Sequence, residues 1–230
     1  TLKEPFSSSD RVLAAVRQAH VRMQTALTGL YPGTLVLSLN ADVIYHRLVR
    51  KIVEINGVPA EPSHPRVLGP KMCVPFGKIL RGDAIPNTVT KTIHTDKVFA
   101  QDLRSFTIET FPGYTPLESQ IRTVKSFRRP IILVDDLLHS GNRLKTLVPM
   151  LQGEAVPIDR VLVGLMSGKG RDLMRTKGIL AVCVYFVPNM RAWFVESTMY
   201  PFIGGDTVGH DEPAVPGLTP SLNLVLPYAF

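Results

Sequence analysis

Cysteine is scarce in this chain: Cys73 and Cys183 are the only two among 230 residues. Both sit in apolar runs, KMCVPF and AVCVYF, so they read as buried free thiols rather than a disulfide framework or a metal pair. No apolar run approaches the roughly 20 residues a membrane-spanning helix needs. The opening TLKEPFSSSD has no hydrophobic signal core, and a cytoplasmic location is expected. Acidic residues are in the minority, 19 against 26 basic, for a net charge of +7. That balance favours anionic ligands. The basic residues are dispersed, with no run longer than a pair such as Arg128-Arg129, which favours a phosphorylated small molecule over nucleic acid. A nucleic-acid binder would instead show steeply salt-dependent affinity. There is no internal repeat and no low-complexity tract. The first residue is Thr1, not Met, and the chain is expected to be an excised domain or a processed product.

What remains is a chain long enough for one large domain, or a domain with a subdomain, and 45% hydrophobic, as globular folds are. Ser8 or Ser9 can cap a helix through about Leu30, with Val12, Leu13, Val16, His20, Met23 and Leu27 at near-helical spacing. Tyr31-Pro32-Gly33 stops it. The run Thr34 to Leu39 reads as a strand, Asn40-Ala41-Asp42 as a cap, and Val43 to Asn56 as a helix closed by Gly57. Pro59, Pro62, Pro65, Pro70, Pro75 and Pro86 make residues 58–92 loop-rich, with short strands at Met72–Val74 and Lys78–Leu80. Two β-arm pieces follow, near 92–99 and 104–111, and then a helix from Leu117 to Val124. Further strands are expected at Ile131–Val134, Val161–Met166 and Ala181–Val187, and further helices at Leu144–Leu151 and 171–177. Strands alternating with helices imply an α/β fold with a mostly parallel, doubly wound sheet, a β-arm excursion and a small C-terminal hood. The loops Ser38-Leu39-Asn40 and Ser167-Gly168-Lys169-Gly170, each leaving a predicted strand, would gather at the sheet edge where ligands bind.

The chemistry concentrates at 129–144, RPIILVDDLLHSGNRL. Four branched aliphatics, Ile131 to Val134, read as a strand buried on both faces. It meets the paired carboxylates Asp135 and Asp136, then the small polar loop His139-Ser140-Gly141-Asn142-Arg143, then a helix. Carboxylates can accept hydrogen bonds from vicinal hydroxyls, while loop amides and the helix dipole can hold a phosphate. Together they make a site for a sugar phosphate. A nucleoside triphosphatase would need an upstream glycine-rich loop with Gly-Lys-Ser/Thr, and none is present. A phospho-acceptor receiver domain would carry its acidic pair near its start. Solvated helix-cap carboxylates are the bland alternative.

The run IILVDDLLHSGNRL resembles the phosphoribosyl-diphosphate (PRPP) motif of the type I phosphoribosyltransferases, in which four hydrophobic residues precede two acidic ones and a small-residue loop. The resemblance implies that Asp135 and Asp136 are the catalytic acidic pair, binding the ribose 2′ and 3′ hydroxyls. Leu138, His139, Ser140, Gly141, Asn142 and Arg143 would wrap the 5′-phosphate. Ser140 stands where a threonine is usual, Asn142 where glycine is frequent, and Arg143 where Thr or Ser is common. It further implies a pyrophosphate loop at Ser38, Leu39 and Asn40, and charge from the mobile region through Lys71, Lys78, Arg81, Lys91 and Lys97. A C-terminal hood would select the base, with Trp193, Phe194, Tyr200 and Phe202 clustered there and Trp193 and Asp206 as base contacts. The implied organisation is an N-terminal helix at 1–33, a core at 34–187 with a mobile arm at 58–111, and a hood and extended tail at 188–230. Magnesium would be held mainly through pyrophosphate and water, with no direct protein ligand. The implied activity is that of a glycosyltransferase of nucleotide metabolism, using PRPP or a nucleotide, as a homodimer or within a larger multidomain chain. The alternative is a non-catalytic PRPP- or nucleotide-sensing domain of the same fold.

Overall fold

A computed structural model of the chain describes residues 8–62, 67–100, 104–194 and 207–208. It divides into two units, Thr1–Val43 and Ile44–Phe230. In the first unit α1 spans Asp10–Leu30. Ser9 caps it, its hydroxyl accepting from the Val12 amide at 3.4 Å. None of its residues is buried, so its amphipathic spacing does not by itself make a core. The strand predicted at 34–39 is absent: residues 35–40 have no regular structure, and Leu35 and Leu37 are 81% and 56% exposed. β-propensity needs a ladder partner to satisfy the backbone, and no described strand pairs with this run. Asn40 does act as a cap. Its side-chain oxygen accepts from the Asp42 amide at 2.7 Å, at the start of α2, Ala41–Asn56.

In the second unit the apolar face of α2, Ile44, Leu48, Ile52 and Val53, is buried, and Gly57 closes the helix at φ 65°. Asn56 ties the end of α2 to the sheet. It accepts from the Lys71 amide at 2.8 Å and donates to the Lys71 carbonyl and the Thr88 hydroxyl. Five strands form one sheet in which each neighbour is parallel. They are β1 (Met72–Pro75), β2 (Val89–Thr90), β5 (Ile131–Leu138), β6 (Ile158–Ser167) and β7 (Ala181–Val187), in the order β2-β1-β5-β6-β7. Alternation along the strands divides the core. Met72, Val74, Ile131, Leu133, Val161 and Val163 pack with residues of α3 (Leu117–Ser126) and α4 (Asn142–Gly153). Cys73, Ile132, Val134 and Leu162 pack with α2. Helices on both faces make the sheet doubly wound. Cys73 is buried as the sequence implied, whereas Cys183, on the edge strand β7, is only half-buried.

The predicted β-arm is present as β3 (Thr95–Phe99) antiparallel to β4 (Phe106–Thr110), with β8 (Thr207–Val208) parallel to β3. The strand expected at Lys78–Leu80 is a turn instead, with Leu80 held at φ 57°, a backbone angle strands do not use. The last helix, α5, begins at Gly168, three residues earlier than expected. Ser167 caps it by accepting from the Gly170 amide at 3.0 Å. No helix among the described residues is long and apolar enough to cross a membrane.

Candidate functional site

Strand β5 runs beyond the aliphatics and carries both carboxylates inside it, ending at Leu138. Asp135 is only 3% exposed. Its Oδ1 accepts from the Asp136 amide at 2.8 Å, and its Oδ2 lies 3.5 Å from Nη1 of Arg143. Burial, and then the charge of Asp136, push the Asp135 carboxyl well above the usual range, with Arg143 pulling it down. The space beside Asp135 exists because position 77 is glycine. A Cβ on Gly77 would fall 1.7 Å from Asp135 Oδ1.

The loop after β5 turns at Gly141, which adopts φ 65° and occupies the cap position of α4 without a side-chain hydrogen bond. Gly141 therefore offers the first amides of α4 no side-chain cap. A side chain at 141 would also strike Leu173, 2.4 Å from the Cβ position. Asn142 and Arg143 are the first two residues of the helix, so the left-handed angle belongs to Gly141 and not to Asn142. His139 is buried, and neither ring nitrogen has a partner. Burial, and then the charge of Lys169, lower its pKa, which keeps the ring neutral. Arg143 Nε is likewise buried without a partner. Burial works against the Arg143 charge, but Asp135, Asp136 and Asp96 hold its pKa up.

The loop after β6 supports this turn from behind. The Ser167 hydroxyl donates to the His139 carbonyl at 3.3 Å. Gly170 leaves room for the Leu138 carbonyl, which lies 2.5 Å from where a Cβ would be. The expectation that 167–170 gathers with the β5 loop at the sheet edge is met, and this loop braces the turn.

One cavity brings together Asp135, Asp136, Leu138, His139, Ser140, Gly141, Asn142, Arg143 and Trp193, all named from sequence, with Lys78 and Lys97. Lys78, Lys97 and Arg143 line it together with the two carboxylates, a composition suited to a ligand carrying both phosphate and hydroxyls. Sequence reading missed Phe76, Phe106 and Ile108 in the lining. It also placed the loop leaving the first core strand wrongly. That strand is β1, and the loop that follows it is Phe76-Gly77-Lys78. Ser38, Leu39 and Asn40 lie in the first unit at the start of α2 and follow no strand. The missed signal was the apolar run MCVPF ending in Gly-Lys. Of the other basic candidates, Lys71 is paired with Asp159 at 2.9 Å, and Arg81 bonds the Gly77 carbonyl and lies over the Phe111 ring. Lys91 is exposed. Tyr200, Phe202 and Asp206 lie outside the described residues.

No family model and no curated protein matches the chain. Solved phosphoribosyltransferases are among the structures it is similar to. A purine phosphoribosyltransferase from Pyrococcus horikoshii is 12% identical with a TM-score of 0.35, over 64% of this chain and 82% of that one. An adenine phosphoribosyltransferase from Thermoanaerobacter pseudethanolicus is 8% identical with a TM-score of 0.38, over 68% and 92%. The hypoxanthine phosphoribosyltransferase of Trypanosoma cruzi, solved with the product IMP, is 12% identical with a TM-score of 0.37, over 65% and 74%.

Proposed function

We propose that this chain binds PRPP or a nucleoside monophosphate and, as a phosphoribosyltransferase, transfers phosphoribose to a nitrogenous base with release of pyrophosphate. The observation that carries the reading is a set of three buried side-chain nitrogens without partners, His139 Nδ1 and Nε2 and Arg143 Nε. They flank an uncapped helix start directly after Asp135-Asp136. A buried donor without an acceptor costs about 1–3 kcal/mol. A phosphate would supply acceptors to the guanidinium, to the protonated imidazole nitrogen and to the α4 amides together. Asp135 and Asp136 then accept from the ribose 2′ and 3′ hydroxyls. Lys78, on the loop after β1, takes the pyrophosphate role that the sequence reading gave to Ser38–Asn40. Trp193 and Phe106 line the cavity and offer faces for base stacking, worth about 1–3 kcal/mol per base.

In the reaction the bond from C1 to pyrophosphate breaks, its electron pair leaving on oxygen, and the base nitrogen lone pair forms the new C1–N bond as the base N–H proton passes to water or the departing pyrophosphate. The carboxylates favour the positive charge that develops on the ribose. Closure of the β3–β4 arm would keep water from competing for C1. Magnesium, which the motif implies, would neutralise charge on the pyrophosphate. Asp135 is already engaged by Arg143 and the Asp136 amide, so pyrophosphate oxygens and water would supply the magnesium ligands, with no direct protein ligand.

The second reading, a non-catalytic PRPP- or nucleotide-sensing domain, is favoured by Arg143. A guanidinium 3.5 Å from Asp135 offsets the negative charge that would stabilise a cationic ribose. Titration calorimetry with PRPP and Mg²⁺, followed by a pyrophosphate-release assay across a panel of bases, separates the two. Binding with release supports the transferase, and binding without release leaves the sensor. No binding, with Asp135→Asn/Asp136→Asn behaving as the parent does, removes both.

A further inference from the structure

We propose that Arg143 is the specificity-determining residue of this cavity: it selects a phosphomonoester and couples recognition of the phosphate to recognition of the sugar hydroxyls through Asp135. The inference rests on the phosphoribosyl-ligand reading and goes beyond it. A loop that holds phosphate by amides and hydroxyls alone needs no cation at position 143, and this one places a guanidinium there.

The geometry shows a group held but not satisfied. The Arg143 side chain is 26% exposed while its partner Asp135 is 4% exposed, so the guanidinium sits between the buried carboxylate and the open cavity. The hydrogen bond from its Nη1 to Asp135 Oδ2 is 3.5 Å long, at the far limit of such a contact. Its Nε is buried with no acceptor. A guanidinium presents its five N–H groups in a rigid planar fork that matches phosphate oxygens two at a time. One edge of this fork is turned to Asp135, and another lacks an acceptor. Arg143 is also the second residue of α4, two residues past the left-handed Gly141, so its side chain starts at the uncapped helix end. A phosphate on that end can be met by the α4 amides and by the fork at once.

The same fork then joins two subsites. Asp135 orients Arg143 for the phosphate, and phosphate bound by Arg143 fixes the charge that faces Asp135. Removing either partner uncouples the two halves of a phosphorylated ligand, while a ligand without phosphate does not sense the coupling.

The test is calorimetric titration of the full chain with ribose 5-phosphate and with ribose. The variants are Arg143→Gln, Arg143→Lys, Asp135→Asn and the double variant Arg143→Gln/Asp135→Asn, each checked for a parent-like thermal transition. Ribose 5-phosphate affinity is expected to fall about 10- to 100-fold in Arg143→Gln, the range for a hydrogen bond to a charged group. Arg143→Lys, which keeps the charge and loses the fork, falls between. Ribose binding changes little in Arg143→Gln. In the double variant the two losses do not add, because Asp135→Asn has already released the fork. Parent-like ribose 5-phosphate affinity in Arg143→Gln, or strictly additive losses, overturns the coupling while leaving the phosphoribosyl reading intact. A parent that binds neither ribose 5-phosphate nor PRPP overturns that reading and this inference with it.

Discussion

Replacing Gly77 by alanine tests whether the acidic pair is positioned as described. The added Cβ would sit 1.7 Å from Asp135 Oδ1 and 2.6 Å from its Cγ. Oδ1 must therefore retreat by roughly 2 Å to reach ordinary van der Waals separation. Asp135 has little room for this because Ile131, Leu133 and Val134 of the same strand are fully buried. The retreat breaks the 2.8 Å bond from the Asp136 amide and strains the Arg143 contact, already at 3.5 Å. Overpacking a tight site costs about 1–3 kcal/mol, and a hydrogen bond to a charged group is worth about 1.5–3 kcal/mol. Gly77→Ala is therefore expected to destabilise the fold by about 2–5 kcal/mol, a large share of a typical domain's stability. Urea unfolding followed by circular dichroism reads the effect. The control is Gly153→Ala at the end of α4, where a Cβ meets nothing within 4 Å, so the change should be neutral or slightly stabilising. Equal midpoints for Gly77→Ala and the parent would show that Asp135 is not lodged against the β1 loop, and the site geometry would fall with it.

Three further outcomes follow from the same structure. His139 and His94 both have lowered pKa values, burial being the first cause in each. Protons therefore bind the unfolded chain more readily, and stability should fall as pH drops through the ordinary histidine value of 6.5. His139→Asn should flatten part of that slope in pH-dependent melts, and an unchanged slope would refute the burial argument. Asn56→Ala leaves the Lys71 amide and carbonyl without their side-chain partners and should lower stability by about 2–4 kcal/mol. A midpoint shift worth less than about 0.5 kcal/mol, the range of ordinary surface changes, would count against it. Lys78→Ala should weaken PRPP more than ribose 5-phosphate in competition binding, since only PRPP carries the pyrophosphate. Equal losses would remove Lys78 from that role.

Local chemistry made several features legible before any tertiary information. Ser9 as a cap, Gly57 as a helix stop, the buried run Ile131–Val134 and the β-arm are encoded by residues close in the chain. The cluster 138–143 belongs with them, because a strand, a turn and a helix start leave little choice about where their side chains gather. The run at 34–39 shows the limit. Its apolar residues suit a strand, but a strand is made by its neighbour, and the sequence does not name one.

The sequence alone therefore determined that an acidic pair and an anion-friendly turn lie side by side, because both are built from one continuous segment. Only the tertiary structure decided which loop abuts Asp135, since β1 reaches β5 across some sixty residues of chain and the close approach at Gly77 exists only once the two strands pair. It likewise decided that Arg143 turns back to Asp135 and that Lys97, held over Phe99 and Phe106 on the arm, joins the cavity lining. Those contacts depend on distances between elements, and no local pattern of residues carries them.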